Sequence, residues 1–211
     1  MGIPVLILGE SGSGKSSSMR NFNPDEVGVF NVASKPLPFR TPLKTVNGSD
    51  YDKIYAGLQK KSLKIYIIDD SQYLMAFEMF RRAKETGYGK FTDIAVNFYN
   101  LIQFVINNMP SDTIVYFMQH VEQSESGKIK AKTCGKMLDN QLTLEGLFGI
   151  VLMANTDGKR YYFMTQSDGY TTCKSPNGMF ELEIDNDLKF VDQTIRDYWN
   201  LNKSEKGEDE K

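Results

Sequence analysis

The chain has 211 residues, of which 40% are hydrophobic and 25% are charged, and its formal net charge is −2. This length and balance predict one sizeable core and favour a single domain. The charge excludes a generally basic surface for nucleic acid, and two cysteines with one histidine exclude a disulfide framework or a zinc site with several ligands. No apolar stretch reaches the length of a membrane span and no signal peptide is readable, so we expect a cytoplasmic protein without a membrane partner.

An apolar segment near the start of the chain, Ile3 to Leu8, is followed at once by a glycine-rich octet. The octet fits G-x-x-x-x-G-K-[ST], the phosphate-binding P-loop, in the strand-to-helix context that this motif requires. Its glycines let backbone N–H groups curl around clustered phosphate charge without side chains in the way. The predicted nucleotide-binding residues are Gly9, Glu10, Ser11, Gly12, Ser13, Gly14, Lys15, Ser16 and Ser17.

Lys15 and Ser16 have separate predicted roles in this loop. Lys15 reaches the β- and γ-phosphates and is a predicted catalytic residue, whereas the Ser16 hydroxyl ligates Mg²⁺. A short helix is predicted from Ser16 to Arg20, with its positive end toward the phosphates. The predicted ligands are therefore ATP and Mg²⁺, and the alternative is a flexible Gly/Ser loop that binds nothing.

Two further buried strands are predicted, from Val27 to Val32 and from Leu63 to Ile68. The second ends at Asp69 and Asp70, and a parallel sheet places acids at that end of a strand beside a ligand. We predict that Asp69 holds hydrated Mg²⁺ and that Asp70 orients the attacking water, solvated strand-end acids being the alternative. Lys35, in the proline-rich segment between the strands, is interpreted as a solvated loop lysine rather than a nucleotide contact.

Helical spacing follows in two segments. The first, Tyr73 to Thr86, carries an aromatic face that we interpret as core rather than as a binding surface. The second begins at Thr92 and runs through Ile106 as a packed crossover helix. The strand from Thr113 to Met118 then ends at Gln119 and His120, where a polar residue can sense the γ-phosphate. We place Gln119 ahead of His120, for which a satisfied core histidine is the alternative.

In the last third of the chain, the sequence pattern predicts a hairpin and a final helix. Apolar segments at 147–153 and 159–165 flank a turn at Asn155 to Gly158, so the end of the sheet is predicted to be antiparallel. Asn186 and Asp187 are predicted to cap an amphipathic helix. The polar residues 202–211 are predicted to be disordered.

The order of these motifs resembles that of bacteriophage RecA-like ATP-binding proteins, including the single-strand annealing ATPases. The resemblance covers nearly the whole chain and is carried by Gly9 to Ser16, Lys35-Pro36-Leu37-Pro38-Phe39, Asp69-Asp70, Gln119-His120, Gly135-Lys136-Met137-Leu138 before Leu144 to Phe148, and Asn186-Asp187-Leu188. It implies one α/β domain over residues 1–201, with a RecA-like P-loop NTPase core. This core is a mostly parallel sheet flanked by helices, with an antiparallel C-terminal hairpin extension.

The resemblance also implies ATP hydrolysis coupled to single-stranded DNA binding and to annealing or strand exchange in phage recombination. It implies a location in the host cytoplasm, self-assembly into a ring or filament, and a phage single-strand binding protein as a further partner. The glutamate that RecA carries after its second core strand is absent here, where Val32-Ala33-Ser34-Lys35 stands. Asp70 is left as the predicted base.

RecA-like assemblies place the nucleotide at subunit interfaces, and no arginine finger is evident in this sequence near the P-loop. We therefore predict a cation supplied in trans by Lys136 or Lys132, with Arg160 behind them, surface lysines being the alternative. DNA is expected to meet hairpin lysines lined up from successive subunits: Lys128, Lys130 and Lys132.

Two other functions compete with this interpretation. One is a nucleotide-switched interaction or DNA-packaging module without annealing activity. The other is a small-molecule kinase, which needs an arginine-rich lid over the phosphates. The six arginines of the chain form no such cluster.

Overall fold

The computed structural model describes residues 1–124, 126–135, 138 and 142–202. Ten strands are found within them: β1 (Ile3–Leu8), β2 (Val27–Asn31), β3 (Thr45–Asn47), β4 (Ile65–Asp69), β5 (Ile114–Gln119), β6 (Val121–Gln123), β7 (Ile129–Ala131), β8 (Ile150–Thr156), β9 (Tyr161–Met164) and β10 (Glu183–Asp185). The helices are α1 (Tyr51–Gln59), α2 (Gln72–Arg81), α3 (Gly89–Asn108) and α4 (Leu188–Tyr198), and two 3₁₀ helices span Ser16–Asn21 and Leu144–Leu147.

Eight strands form one sheet in the order β10-β9-β8-β1-β5-β4-β2-β3, and β6 pairs with β7 in a separate antiparallel hairpin. The six strands from β8 to β3 are parallel to one another. At the other edge β9 and β10 are antiparallel. The predicted α/β class, with a mostly parallel sheet and an antiparallel hairpin near the C-terminus, is confirmed.

Alternation along the central strands divides the core into two layers. In β1, Leu6 and Leu8 face the layer built with α1, α2 and α3, whereas Val5 and Ile7 face the layer that includes α4 and the first 3₁₀ helix. Successive side chains of a strand point to opposite faces, so a strand buried on both sides reads as a continuous apolar run. This is why the predicted strands and the observed ones coincide closely.

Helix α4 is held on the sheet by a buried ionic group. Arg196 donates from Nε to Asp192 Oδ2 at 2.6 Å, and Tyr116 donates its hydroxyl to Asp192 Oδ1 at 3.1 Å. The guanidinium also donates to the backbone carbonyls of Asp112 and Lys64, just before β5 and β4. Charge and hydrogen bonds therefore lock the last helix to two central strands, and its predicted cap is confirmed, since Asp187 accepts from the backbone N–H groups of Lys189 and Phe190.

Helix boundaries and exposure differ from the sequence predictions in the second helix. Helix α2 ends at Arg81 rather than at Thr86. Leu74 and Met75 are buried in it, but Phe77 and Phe80 are exposed, so the interpretation of its aromatic face as core is wrong for those two. A helix that is apolar on most of its circumference can bury only the side that meets the sheet.

The segment after the glycine-rich loop also differs in kind from the predicted helix. Ser16–Asn21 is a 3₁₀ helix of six residues, whose dipole is smaller than that of a full α-helix. Among the described residues, no helix combines the length and the apolar composition that crossing a bilayer requires. Residues 203–211 of the predicted tail lie outside the described residues.

Candidate functional site

A cleft of about 340 Å³ opens at the carboxyl ends of the central parallel strands. Its walls come from the loop after β1, the segment after β2, the ends of β4 and β5, and the start of β9. The lining residues are Ser11, Gly12, Gly14, Lys15, Ser16, Ser17, Lys35, Pro36, Pro38, Asp69, Asp70, His120 and Tyr161. Five separate stretches of chain thus converge where open α/β sheets bind ligands.

Two glycines of the loop after β1 leave no room for a side chain. A Cβ at Gly9 would lie 2.4 Å from Ser13 Oγ and 2.8 Å from the carbonyl oxygen of Ala154. At Gly14, where φ is +92°, a Cβ would lie 2.9 Å from the Tyr161 ring. Packing and backbone conformation therefore both require glycine at these positions.

The side chain of Lys15 folds back over this loop. Its Nζ donates to the carbonyl oxygens of Gly9 at 2.6 Å and Glu10 at 2.7 Å. Burial lowers the pKa of Lys15 to about 8, although the nearby Asp70 and Asp69 carboxylates oppose this shift. The ammonium is thus a buried cation at the floor of the cleft, positioned to meet an anion there.

Ser16 and Asp69 face each other across the cleft. The Ser16 hydroxyl lies 2.9 Å from Asp69 Oδ1 and 3.1 Å from Oδ2, to which it donates. Burial raises the pKa of Asp69 to about 6, and the charge of Asp70 adds to the effect. The structure therefore brings the two predicted magnesium residues together.

Asp70 has two side-chain partners, Lys35 and His120, rather than standing free. Lys35 Nζ lies 2.7 Å from Oδ2, and His120 Nε2 lies 3.3 Å from Oδ1. Burial alone would raise the pKa of Asp70, but the hydrogen bonds from His120 and Lys35 outweigh it and lower the pKa. The backbone of Asp70 has φ +58°, which turns the chain sharply after the strand. Lys35 therefore lines the cleft, although 58% of its side chain stays exposed, as expected of a solvated loop lysine.

The two polar residues at the end of β5 point in different directions. Gln119 is fully buried, and its Nε2 donates to the carbonyl oxygen of Lys132 at 2.7 Å. His120 instead lines the cleft beside Asp70. Of these two residues, therefore, His120 faces the cleft and Gln119 does not line it.

A second cleft of about 400 Å³ adjoins the first and shares Ser11 and His120 with it. Lys132 lines this second cleft within the same chain. Arg160 forms ion pairs with Glu183 and Asp157. Lys136 lies outside the described residues.

Tyr161 is a cleft residue that the sequence did not reveal. It begins β9, and its ring packs against Gly14 while about half of its surface stays exposed. A tyrosine at a strand start carries no local signal of this role, because only the pairing of β9 with β8 brings it to the phosphate loop.

The described residues contain no group of three or more His, Cys, Asp or Glu side chains arranged to hold a metal ion. Neither the protein-family models nor the curated proteins compared with this chain match it, so the chemistry of the site rests on its own side chains.

Proposed function

We propose that this chain is a P-loop ATPase with a RecA-like core. Its proposed role is in phage recombination, where it binds single-stranded DNA and promotes annealing or strand exchange as a ring or filament in the host cytoplasm. One observation carries the ATPase proposal. The buried Lys15 ammonium and the hydrogen-bonded Ser16–Asp69 pair lie in one cleft, beside a loop that only glycines can form.

The strand order supports a RecA-like core. Strand β5 lies between β1, which leads into the phosphate loop, and β4, which ends at Asp69. The residue after β5, His120, is therefore aimed at the same cleft end as Asp70. Three adjacent strand ends then carry the proposed machinery: the phosphate loop after β1, the metal-binding Asp69 at the end of β4, and the phosphate sensor His120 after β5. Phosphoryl transfer needs these groups close together.

The donor set at Ser16 and Asp69 fits Mg²⁺ brought in with the nucleotide. A hydroxyl and a carboxylate are oxygen ligands, and Mg²⁺ is commonly held by one or two protein ligands together with substrate phosphates and water. The raised pKa of Asp69 shows a buried carboxylate that lacks sufficient positive charge around it. When bound, the ion supplies charge neutralisation for the phosphoryl group. Lys15 binds the terminal phosphates, and the backbone of Ser11 to Gly14 surrounds them.

Lys35 is the proposed cation at the phosphate end within the same subunit. Its ammonium reaches Asp70 in the cleft, and Pro36 and Pro38 restrict the segment that carries it. A cation held in place before reaction stabilises charge on the transferring group without reorganisation. That Lys136 acts in trans remains a prediction. With Lys35 in place, Lys136 need not be the only cation beside the phosphoryl group.

The second candidate function, a nucleotide-switched interaction module, is favoured by the state of Asp70. Its carboxylate already accepts from Lys35 and His120, and these hydrogen bonds lower its pKa, which makes it a weaker base toward an attacking water. Turnover is then slow and the bound nucleotide acts mainly as a switch. Both candidates share the phosphate site and differ in rate.

The deciding experiment measures phosphate release from MgATP by wild type and Lys15→Ala, each with and without single-stranded DNA. The ATPase proposal expects turnover that DNA raises and Lys15→Ala abolishes. Nucleotide binding with negligible turnover in both conditions would support the switch. Turnover that ignores DNA and needs a small-molecule acceptor would make the chain a kinase and refute the proposal.

Assembly is tested separately by mixing two inactive variants. Lys15→Ala lacks a working phosphate loop but keeps Lys136, whereas Lys136→Ala keeps the loop. If the site is completed in trans, the mixture regains part of the wild-type ATPase. A mixture that stays inactive although the proteins co-assemble would exclude Lys136 from that role.

A further inference from the structure

Three aromatic residues of α2 form a row along one side of the helix. Tyr73, Phe77 and Phe80 are spaced four and three residues apart and fall within about 60° of its circumference. The Tyr73 and Phe77 rings stack, with centroids 5.2 Å apart and planes 23° from parallel. Phe77 is 37% exposed and Phe80 is 79% exposed. We call these three residues the aromatic row.

The core does not need the exposed end of this row. Leu74 and Met75 fill the buried side of α2 and are almost completely covered. Phe77 and Phe80 are on the other side, where water contacts their rings. Their large apolar surface is therefore a liability for solubility that a binding role would explain.

The chain around the row carries excess positive charge. Residues 73–93 contain four basic and three acidic residues, in a protein whose net charge is −2. Arg82 is neutralised by three carboxylates, which belong to Glu78, Glu85 and Asp93. Lys90 donates only to backbone carbonyls, and Arg81 and Lys84 have no carboxylate partner among the described residues. Arg81 and Lys84 thus follow the row without an ion pair among the described residues, although Asp50, Asp52 and Glu78 line one cleft together with Arg81.

The half-buried end of the row, Tyr73, contacts two residues that line the first cleft. Lys35 Nζ lies 5.0 Å from the centroid of the Tyr73 ring, and the His120 ring meets Tyr73 edge-on at 6.2 Å. Lys35 and His120 are the two partners of Asp70. A shift of Lys35 toward a bound phosphate therefore changes the surroundings of Tyr73.

We propose that the aromatic row is where single-stranded nucleic acid binds. Bases stack on Phe77 and Phe80, and phosphates lie near Arg81 and Lys84. Stacking on flat rings accepts any base, and unpaired cations follow the backbone. The seven-residue rise from Tyr73 to Phe80 is about 10 Å, the length of about three stacked nucleotides. This inference rests on the proposed function, because it names the surface for the proposed DNA partner.

Charge favours α2 over the lysine hairpin as the nucleic-acid surface. In the hairpin, Lys130 is paired with Glu122 at 3.2 Å. The row is also one ring wide and bordered by cations, which suits a strand of nucleotides better than the broader apolar patch of a protein interface.

The first test is fluorescence anisotropy with a labelled oligothymidylate of about 20 nucleotides. We expect the double variant Phe77→Ala/Phe80→Ala to bind at least about tenfold more weakly than wild type. Phe190→Ala is the matched control, since Phe190 is an exposed phenylalanine on α4, far along the chain from the row. Phe80→Trp keeps a stacking ring and should bind like wild type, with its fluorescence quenched by the oligonucleotide.

The second test measures how affinity depends on salt. Replacing one phosphate-binding cation should reduce the slope of log K against log salt by about 0.7 for a single strand. We expect this change for Lys84→Gln. Lys60→Gln is the control, because Lys60 is exposed just after α1 and lies outside the proposed surface.

Three results would overturn the inference, and they differ in what they leave standing. If the double variant binds the oligonucleotide as tightly as wild type does, the aromatic row is not the binding surface, but DNA remains the partner. No oligonucleotide binding by wild type, with or without a non-hydrolysable ATP analogue, would refute both the row and the DNA partner while nucleotide binding remains. Self-association of wild type that the double variant abolishes, without oligonucleotide binding, would make the row a contact between copies. Nucleotide binding by each variant verifies its fold.

Discussion

Replacing Asp69 by asparagine is expected to make the nucleotide-free protein more stable at neutral pH. Burial and the neighbouring Asp70 charge raise the pKa of Asp69 to about 6, so its ionised form is disfavoured in the fold. Asparagine keeps an oxygen that accepts from Ser16 and carries no charge. The ionised carboxylate therefore destabilises the nucleotide-free fold, a cost consistent with its proposed role in binding a cation.

The size of the effect follows from the change in pKa. A rise in pKa from the ordinary value of 3.8 to about 6 lowers the free energy of unfolding by at most about 3 kcal/mol. This loss is absent below pH 4 and complete above pH 6. The sign is fixed, because the folded state binds the proton more tightly than the unfolded state does. Stability is therefore lost as pH rises from 4 to 6, and Asp69→Asn does not suffer that loss.

Urea unfolding of wild type and Asp69→Asn at about pH 4 and pH 8 measures this difference. The variant should gain stability relative to wild type only at the higher pH. Adding MgATP should then stabilise wild type and leave Asp69→Asn nearly unchanged, since the variant lacks the carboxylate that we propose binds Mg²⁺. Withdrawing Mg²⁺ with a chelator should cancel most of the gain of wild type.

Asp70→Asn is the matched control and should behave in the opposite way. Hydrogen bonds from His120 and Lys35 lower the pKa of Asp70 against the effect of burial, so its ionisation stabilises the fold above about pH 4. Asparagine tolerates the positive φ at this position, so the change removes charge without adding strain. Equal effects of the two substitutions, or a gain from Asp69→Asn that does not depend on pH, would refute the electrostatic reasoning.

Other substitutions test the remaining parts of the site and the fold. Lys15→Ala should abolish hydrolysis and weaken ATP binding, as measured by phosphate release and by titration with a fluorescent analogue; unchanged turnover would refute the phosphate-loop assignment. Lys35→Ala should lower kcat on the order of 10²-fold with a smaller change in KM, with partial recovery in Lys35→Arg; a loss confined to KM would make Lys35 a binding residue only. Tyr161→Ala should raise KM for ATP with little change in Tm, and unaltered kinetics would remove Tyr161 from the site. Arg196→Met should destabilise by about 3–5 kcal/mol in urea, because it leaves Asp192 buried and unpaired, and a loss below about 1 kcal/mol would show that water replaces the guanidinium.

Local patterns were sufficient to place the phosphate loop and the strand that ends at Asp69. Both depend on residues adjacent in sequence, and a buried strand followed by glycines or acids has few other interpretations. The proximity of Ser16 to Asp69 then follows from parallel pairing, since it needs only that both strands end at the same edge of the sheet.

The partners of Asp70 could not be predicted in the same way. Lys35 is 35 residues away in sequence, and its position depends on how the segment after β2 turns back over the sheet. The choice between Gln119 and His120 depends on a single step of alternation at the end of β5, where one residue of register exchanges the buried and the cleft-facing side chain. Sequence composition therefore predicts neither the position of Lys35 nor which of Gln119 and His120 faces the cleft.

The central position of β1 has a consequence for the synthesis of the protein. β1 pairs with β5 on one side and with β8 on the other, and β8 begins only at Ile150. At about 5–20 residues per second, a ribosome needs roughly 7–30 s to reach that point after completing β1. Throughout that interval the nascent β1 lacks a neighbour and exposes an apolar edge, which is the kind of segment that chaperones protect. The glycine-rich loop after β1 consequently gains its full support only after most of the chain has been made.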